Sequence, residues 1–122
     1  MTTILNFWLH GQPPRKSNSR RVVFQNGKTR VIKSAAALQW VQDALLQIPA
    51  DCRVRMGSAE QPVEVVLHIY YESRRPDLSG ELVLDVLQAG GVIANDRYVE
   101  HLDLWKHYSD HRPGVDVTVR GM

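Results

Sequence analysis

The sequence predicts an α+β domain in which a mixed β-sheet carries two helices, with a basic β-hairpin near the N-terminus. Three observations predict it. Residues 63–71 alternate Val63, Val65, Leu67, Ile69 and Tyr71 with Glu64, Val66, His68 and Tyr70, the period of two that a half-buried strand imposes. Residues 35–48 and 78–87 instead repeat their apolar side chains at helical spacing. Residues 21–25 and 28–33 flank Asn26-Gly27, a dipeptide that tolerates positive φ and so favours a tight hairpin turn. A chain of 122 residues with no repeat and no linker-like tract reads as one domain.

The elements follow in order. Residues 3–10 set Leu5, Phe7 and Leu9 against Asn6, Trp8 and His10, a strand with one mostly apolar face. Pro13 and Pro14 end it, because neither can donate to a ladder, and the following Gly-, Asn- and Ser-containing loop carries positive charge of its own. After the hairpin, Ser34 can cap a helix over 35–47, and Pro49 stops it. The strand over 63–71 breaks at Arg74-Arg75-Pro76. Asp77 or Ser79 then caps a second helix, which Gly90-Gly91 closes. Residues 98–107 and 115–120 read as two last strands joined by a turn at Pro113-Gly114. Trp8, Trp40 and Trp105 fall at strand or helix spacing and are expected in core or interface packing, core ahead of interface, rather than in stacking on DNA.

Composition narrows the function classes. No run approaches the roughly 20 apolar residues of a membrane span, and the first residues lack the basic head and apolar core of a secretory signal, so the chain is expected in the cytoplasm with no membrane partner. The lone Cys52 excludes an internal disulfide and a cysteine-built zinc site. The net charge of +2 conceals a segregation: the first acidic residue is Asp43, and Arg15, Lys16, Arg20, Arg21, Lys28, Arg30 and Lys33 all precede it. Such an uncompensated basic stretch is the footprint of a polyanion partner, or else a solvated hairpin.

The acids concentrate their interest at the second helix. Asp77, Glu81, Asp85 and Gln88 share one stripe of it, opposite Leu78, Leu82, Val83, Val86 and Leu87. Like charges one turn apart repel by a few tenths of a kcal/mol. They are therefore either fully solvated or neutralised by a bound cation. Asp96 can converge on Asp77, since a helix over 78–90 rises about 18 Å and the six residues that follow can return about 20 Å. Lys106, about 33 Å beyond Asp96 on a straight strand, is expected away from that metal. Carboxylate-held Mg²⁺, or Mn²⁺, suits phosphodiester hydrolysis, because it activates a water and neutralises charge on the phosphate oxygens. A rival zinc site from His107, Asp110 and His111 would need a helix, which Ser109 and Pro113-Gly114 disfavour.

Most of the chain resembles the RusA-type Holliday-junction resolvases, a family frequent in phages and prophages. The resemblance begins at a Gly11-x-Pro13 loop followed by Lys16, Asn18, Ser19 and Arg20, continues through Val31-Ile32-Lys33-Ser34, and is strongest at Arg75-Pro76-Asp77-Leu78. Asp85-Val86-Leu87-Gln88, Gly91-Val92-Ile93, Asn95-Asp96-Arg97 and Lys106 complete it. It implies a RusA-like fold and a homodimer that binds four-way DNA junctions and makes paired, symmetric, Mg²⁺-dependent nicks in DNA recombination and repair. The family's catalytic aspartates map onto Asp77 and Asp96. The usual Asp-Leu-Asp-Asn reads Asp77-Leu78-Ser79-Gly80 here, and Val83 stands near the expected lysine. Glu81, one turn after Asp77, is expected to replace the lost carboxylate, with Asp85 second in line. Asp77, Glu81 and Asp96 are thus the expected catalytic and metal-binding set. The expected DNA contacts are Arg15, Lys16, Asn18, Arg20, Arg21, Lys28, Arg30 and Lys33, joined by Arg74, Arg75 and Lys106. The alternatives are a catalytically decayed nucleic-acid-binding module on the same frame and, more weakly, an interaction protein whose acidic stripe docks a basic partner.

Overall fold

The computed structural model describes residues 3–15 and 20–122. Its centre is β4 (Val63–Tyr71), whose odd-numbered residues are all buried while Glu64, Val66, His68 and Tyr70 are half-buried. β6 (Gly114–Gly121) lies antiparallel on one side of β4 and β5 (Val99–Tyr108) parallel on the other. β1 (Ile4–His10) pairs antiparallel with β6, which gives the mixed order β1-β6-β4-β5.

The last two strands form as the alternation predicts, but they are not partners. β4 lies between them, and Pro113 ends a crossing connection rather than a hairpin turn. The parallel β4–β5 pair needs a crossover, which α2 (Glu81–Ala89) supplies. α1 (Ala35–Gln47) is capped as expected, the Ser34 Oγ accepting from the Ala37 amide at 3.1 Å.

Both helices face the same apolar layer. Ala37, Trp40 and Ala44 of α1 and Val83, Val86 and Leu87 of α2 close over Leu9, Leu67, Ile69 and Val117. Trp40 belongs to this core and donates from Nε1 to the Gly11 carbonyl at 3.1 Å. Trp105, expected in packing, is instead 51% exposed, because β5 is the sheet edge and the residue points to the uncovered side. No helix of the described residues is long and apolar enough to cross a membrane.

β2 (Arg20–Gln25) and β3 (Lys28–Lys33) form a separate two-stranded sheet. Its turn has φ of 50° at Asn26 and 74° at Gly27, the pair of positive values that a type I′ hairpin requires.

Candidate functional site

α2 starts later than its cap signals suggest. Gly80 is the N-cap and Glu81 the first helical residue, so Asp77 precedes the helix instead of opening it. The sheet explains the shift: a Cβ on Gly80 would sit 2.9 Å from Leu104 Cδ2 and 3.1 Å from Leu67 Cδ1. The chain enters the helix where any side chain would press on the flexible ends of both leucines. Ser79 retains part of a capping role, its Oγ accepting from the Glu81 amide at 3.4 Å. From there the apolar side of α2 turns inward and the stripe Glu81, Asp85 and Gln88 turns outward.

That stripe meets the hairpin. Arg20 pairs with Glu81, and Lys33 Nζ lies 3.4 Å from Asp85 Oδ2. Arg20 and Lys33 are opposite each other in the β2–β3 register, so the base of the ribbon sets one cation against each carboxylate. Between ribbon and helix lies an open cleft of about 570 Å³, whose apolar wall is Val31, Leu38 and Leu82. The repulsion expected along the acidic stripe is relieved by two basic side chains of the same molecule.

The other expected acids, Asp77 and Asp96, are not among the residues that line this cleft. Asp96 opens a 3₁₀ turn beyond α2, and its amide donates to the Gln88 Oε1 at 2.9 Å, which fixes it beside the last turn of the helix. Asn95 caps that turn, accepting from the Arg97 amide at 3.0 Å. Asp77 lies ahead of the first turn, exposed, its carbonyl accepting from the Tyr71 hydroxyl at 3.3 Å. Burial, with the Asp77 charge adding to it, pushes the Tyr71 phenol above its ordinary pKa, although a backbone hydrogen bond at Ser79 acts the other way. Asp77 and Asp96 thus stand at the two ends of α2, and the convergence that the loop length allows is not realised, because the helix itself separates them. Among the described residues, no three His, Cys, Asp or Glu side chains are grouped so as to hold a metal ion.

The cations divide into two sets. Arg21, Lys28 and Arg30 are exposed along the hairpin, with Arg30 also donating to Gln25 Oε1 at 3.5 Å. Arg74, Arg75 and Lys106 collect at the far end of β4. Lys106 lies opposite Ile69 and donates to the Arg74 carbonyl at 2.9 Å, while the Arg74 guanidinium stands 6.0 Å from the Tyr108 ring centre. Lys106 therefore belongs with the segment leading to Asp77 and not with Asp96, which precedes the opposite end of β5. Arg15 is half-buried in the loop after β1. Lys16 and Asn18 lie outside the described residues.

Histidines form a cluster that was not anticipated. His68 Nδ1 and His107 Nε2 are 2.8 Å apart across β4 and β5, and Trp105, Tyr70 and Trp8 continue the row of rings over the sheet's uncovered face. The polar half of the β4 alternation carries part of the signal, but only the strand order brings β5 against β4 and sets β1 one strand away, across β6. His107 is thereby committed to a strand, while Asp110 and His111 lie in the loop after β5, 3.2 Å apart. No protein-family model and no curated protein matches this chain.

Proposed function

We propose that this protein is a Mg²⁺-dependent, structure-selective endodeoxyribonuclease of the RusA type, a cytoplasmic homodimer that acts on four-way DNA junctions in recombination and repair. The observation that carries this reading is the cleft where Glu81 and Asp85 face Arg20 and Lys33. DNA entering it meets cations for its phosphates and an all-oxygen donor set of the kind a hard divalent ion prefers. The paired side chains are 39–53% exposed. Ion pairs that wet are worth about 0–1 kcal/mol, so a phosphate can draw Arg20 and Lys33 away at little loss and leave the carboxylates open.

Glu81 and Asp85 would hold the ion, with Asp96 at one end of the stripe and Asp77 at the other. Held by Glu81 and Asp85, Mg²⁺ would supply an acidified water and neutralise charge on the phosphate. The rest falls to the chain itself. Arg21, Lys28 and Arg30 hold the backbone along the hairpin, which makes binding salt-dependent and indifferent to base sequence. Lys106, by fixing the Arg74 carbonyl, positions Arg74 and Arg75 to brace a second stretch of backbone. Two symmetric cuts need two sites related by a two-fold axis, hence the dimer.

The test is cleavage of a labelled four-way junction in Mg²⁺ and in EDTA. Glu81→Gln and Asp85→Asn should slow nicking by about a hundredfold while binding persists, and Asp77→Asn and Asp96→Asn rank the remaining carboxylates. Cutting by Glu81→Gln at the parent rate removes Glu81 from the set. A second reading, a nucleic-acid-binding module without cleavage, is favoured by the lack of a three-membered metal group among the described residues. Junction binding with no Mg²⁺-dependent nick in the parent protein selects it.

A further inference from the structure

The β2–β3 hairpin turns its largest apolar side chains to solvent. Phe24 is 75% exposed, Val22 66% and Val31 64%. The register places them on one face: Val22 is opposite Val31, and Phe24 is two residues nearer the turn. The same face carries Arg20 and Lys33 at its base, and there it meets the cleft. A two-stranded ribbon standing apart from the main sheet gains no stability from apolar residues left in water. Their position calls for a partner.

Charge selects the partner. Residues 20–33 contain Arg20, Arg21, Lys28, Arg30 and Lys33 and no carboxylate, and Arg21 and Lys28 have no acidic partner among the described residues. A second copy of the hairpin would bring five like charges against five, so self-association through this face is disfavoured. A ligand with an anionic exterior and an apolar, ring-stacked interior satisfies both halves of the ribbon at once. Nucleic acid has that construction, and its interior is accessible where stacking is interrupted, as at a branch point.

The geometry points to Phe24 as an apolar wedge that enters the interrupted base stack at the centre of branched DNA while the hairpin cations hold the surrounding phosphates. This rests on the DNA-binding half of the proposed function and not on cleavage. It supplies what phosphate contacts cannot, a preference for branched over linear DNA. The Val22–Val31 pair backs the wedge, and the Asn26-Gly27 turn keeps the tip narrow.

The experiment places 2-aminopurine at the crossover of a fixed four-way junction and titrates it with protein in EDTA, with anisotropy reporting binding to the junction and to a linear duplex of the same length. The parent should raise the 2-aminopurine fluorescence. Phe24→Ala should lose most of that rise and lower the junction-over-duplex preference by about tenfold, with duplex affinity and thermal unfolding unchanged, and Phe24→Trp should restore both. An undiminished rise with Phe24→Ala overturns the wedge, as does parent binding to anionic phosphatidylglycerol vesicles with no fluorescence change on the junction. A parent that binds no DNA by anisotropy overturns the proposed function and the wedge together. Binding and fluorescence change without any nick in Mg²⁺ overturns cleavage alone.

Discussion

The central strand β4 and the hairpin strands β2 and β3 use the same kinds of residue to opposite ends. In β4 every second side chain is buried, from Val63 at 1% exposure to Tyr71 at 2%. In the hairpin Val22, Phe24 and Val31 share one face of the ribbon, yet they remain in solvent. Apolar periodicity by itself therefore locates strands but not their purpose. What separates the two regions is charge: β4 carries a single acid, Glu64, answered by Arg120 at 2.8 Å and His101 at 2.7 Å, whereas the hairpin is cationic throughout.

The sharpest way to break this contrast is to truncate one residue from each region. Leu67 is fully buried in β4, and Leu67→Ala should lose about 2–5 kcal/mol in denaturant unfolding. Val22→Ala should stay within about 0.5 kcal/mol, as exposed substitutions do. Comparable losses at both positions would mean that the hairpin is packed in solution, and the binding role assigned to its apolar face would fall.

Gly80 tests the junction between core and site. Gly80→Ala presses a methyl on the ends of Leu104 and Leu67, which can yield, so a loss of about 1–3 kcal/mol is expected. Because Gly80 sets where α2 begins, the same variant should also weaken binding that depends on Glu81. An unaltered melting temperature would show that the helix start is not fixed by this contact.

How much of this was legible in the sequence follows from what is local. Ser34 and Pro49 delimit α1, Asn26-Gly27 makes its turn, and the β4 alternation carries the central strand. Each is decided by residues a few positions apart. The insertion of β4 between β5 and β6 is a long-range choice, and the Pro113-Gly114 signal is silent about it. The late start of α2 has the same origin, since Leu67 and Leu104, distant in the chain, crowd the position of Gly80. At the site, the stripe of Glu81 and Asp85 was readable from helical period, but the ribbon cations opposite them were not, because nothing local specifies how the hairpin folds back. Trp105 turned outward for a topological reason too: whether a strand is an edge cannot be read from its own residues.

Arg20 and Lys33 give a smaller effect on stability but a more informative one. Replacing both with alanine should change unfolding by no more than about 1 kcal/mol, as exposed pairs do, while binding of Mg²⁺ measured by calorimetry without DNA should strengthen, since Glu81 and Asp85 no longer have internal partners. Unchanged or weaker Mg²⁺ binding would indicate that these carboxylates serve only to hold the hairpin.

The smallest effect concerns pH and distinguishes the buried region again. The Tyr71 phenol is raised above its ordinary value of 10.0, chiefly by burial, so the folded state keeps its proton to higher pH than the unfolded chain does. Stability from this source is fully present below about pH 10 and is lost as pH rises through the folded value, because there the unfolded chain has already released the proton. Tyr71→Phe should flatten that alkaline decline, at a constant loss of about 1 kcal/mol near neutrality for the hydrogen bond to the Asp77 carbonyl. If Tyr71→Phe leaves the decline unaltered, the buried environment of Tyr71 is not its cause, and the tie between β4 and the segment bearing Asp77 must be sought elsewhere.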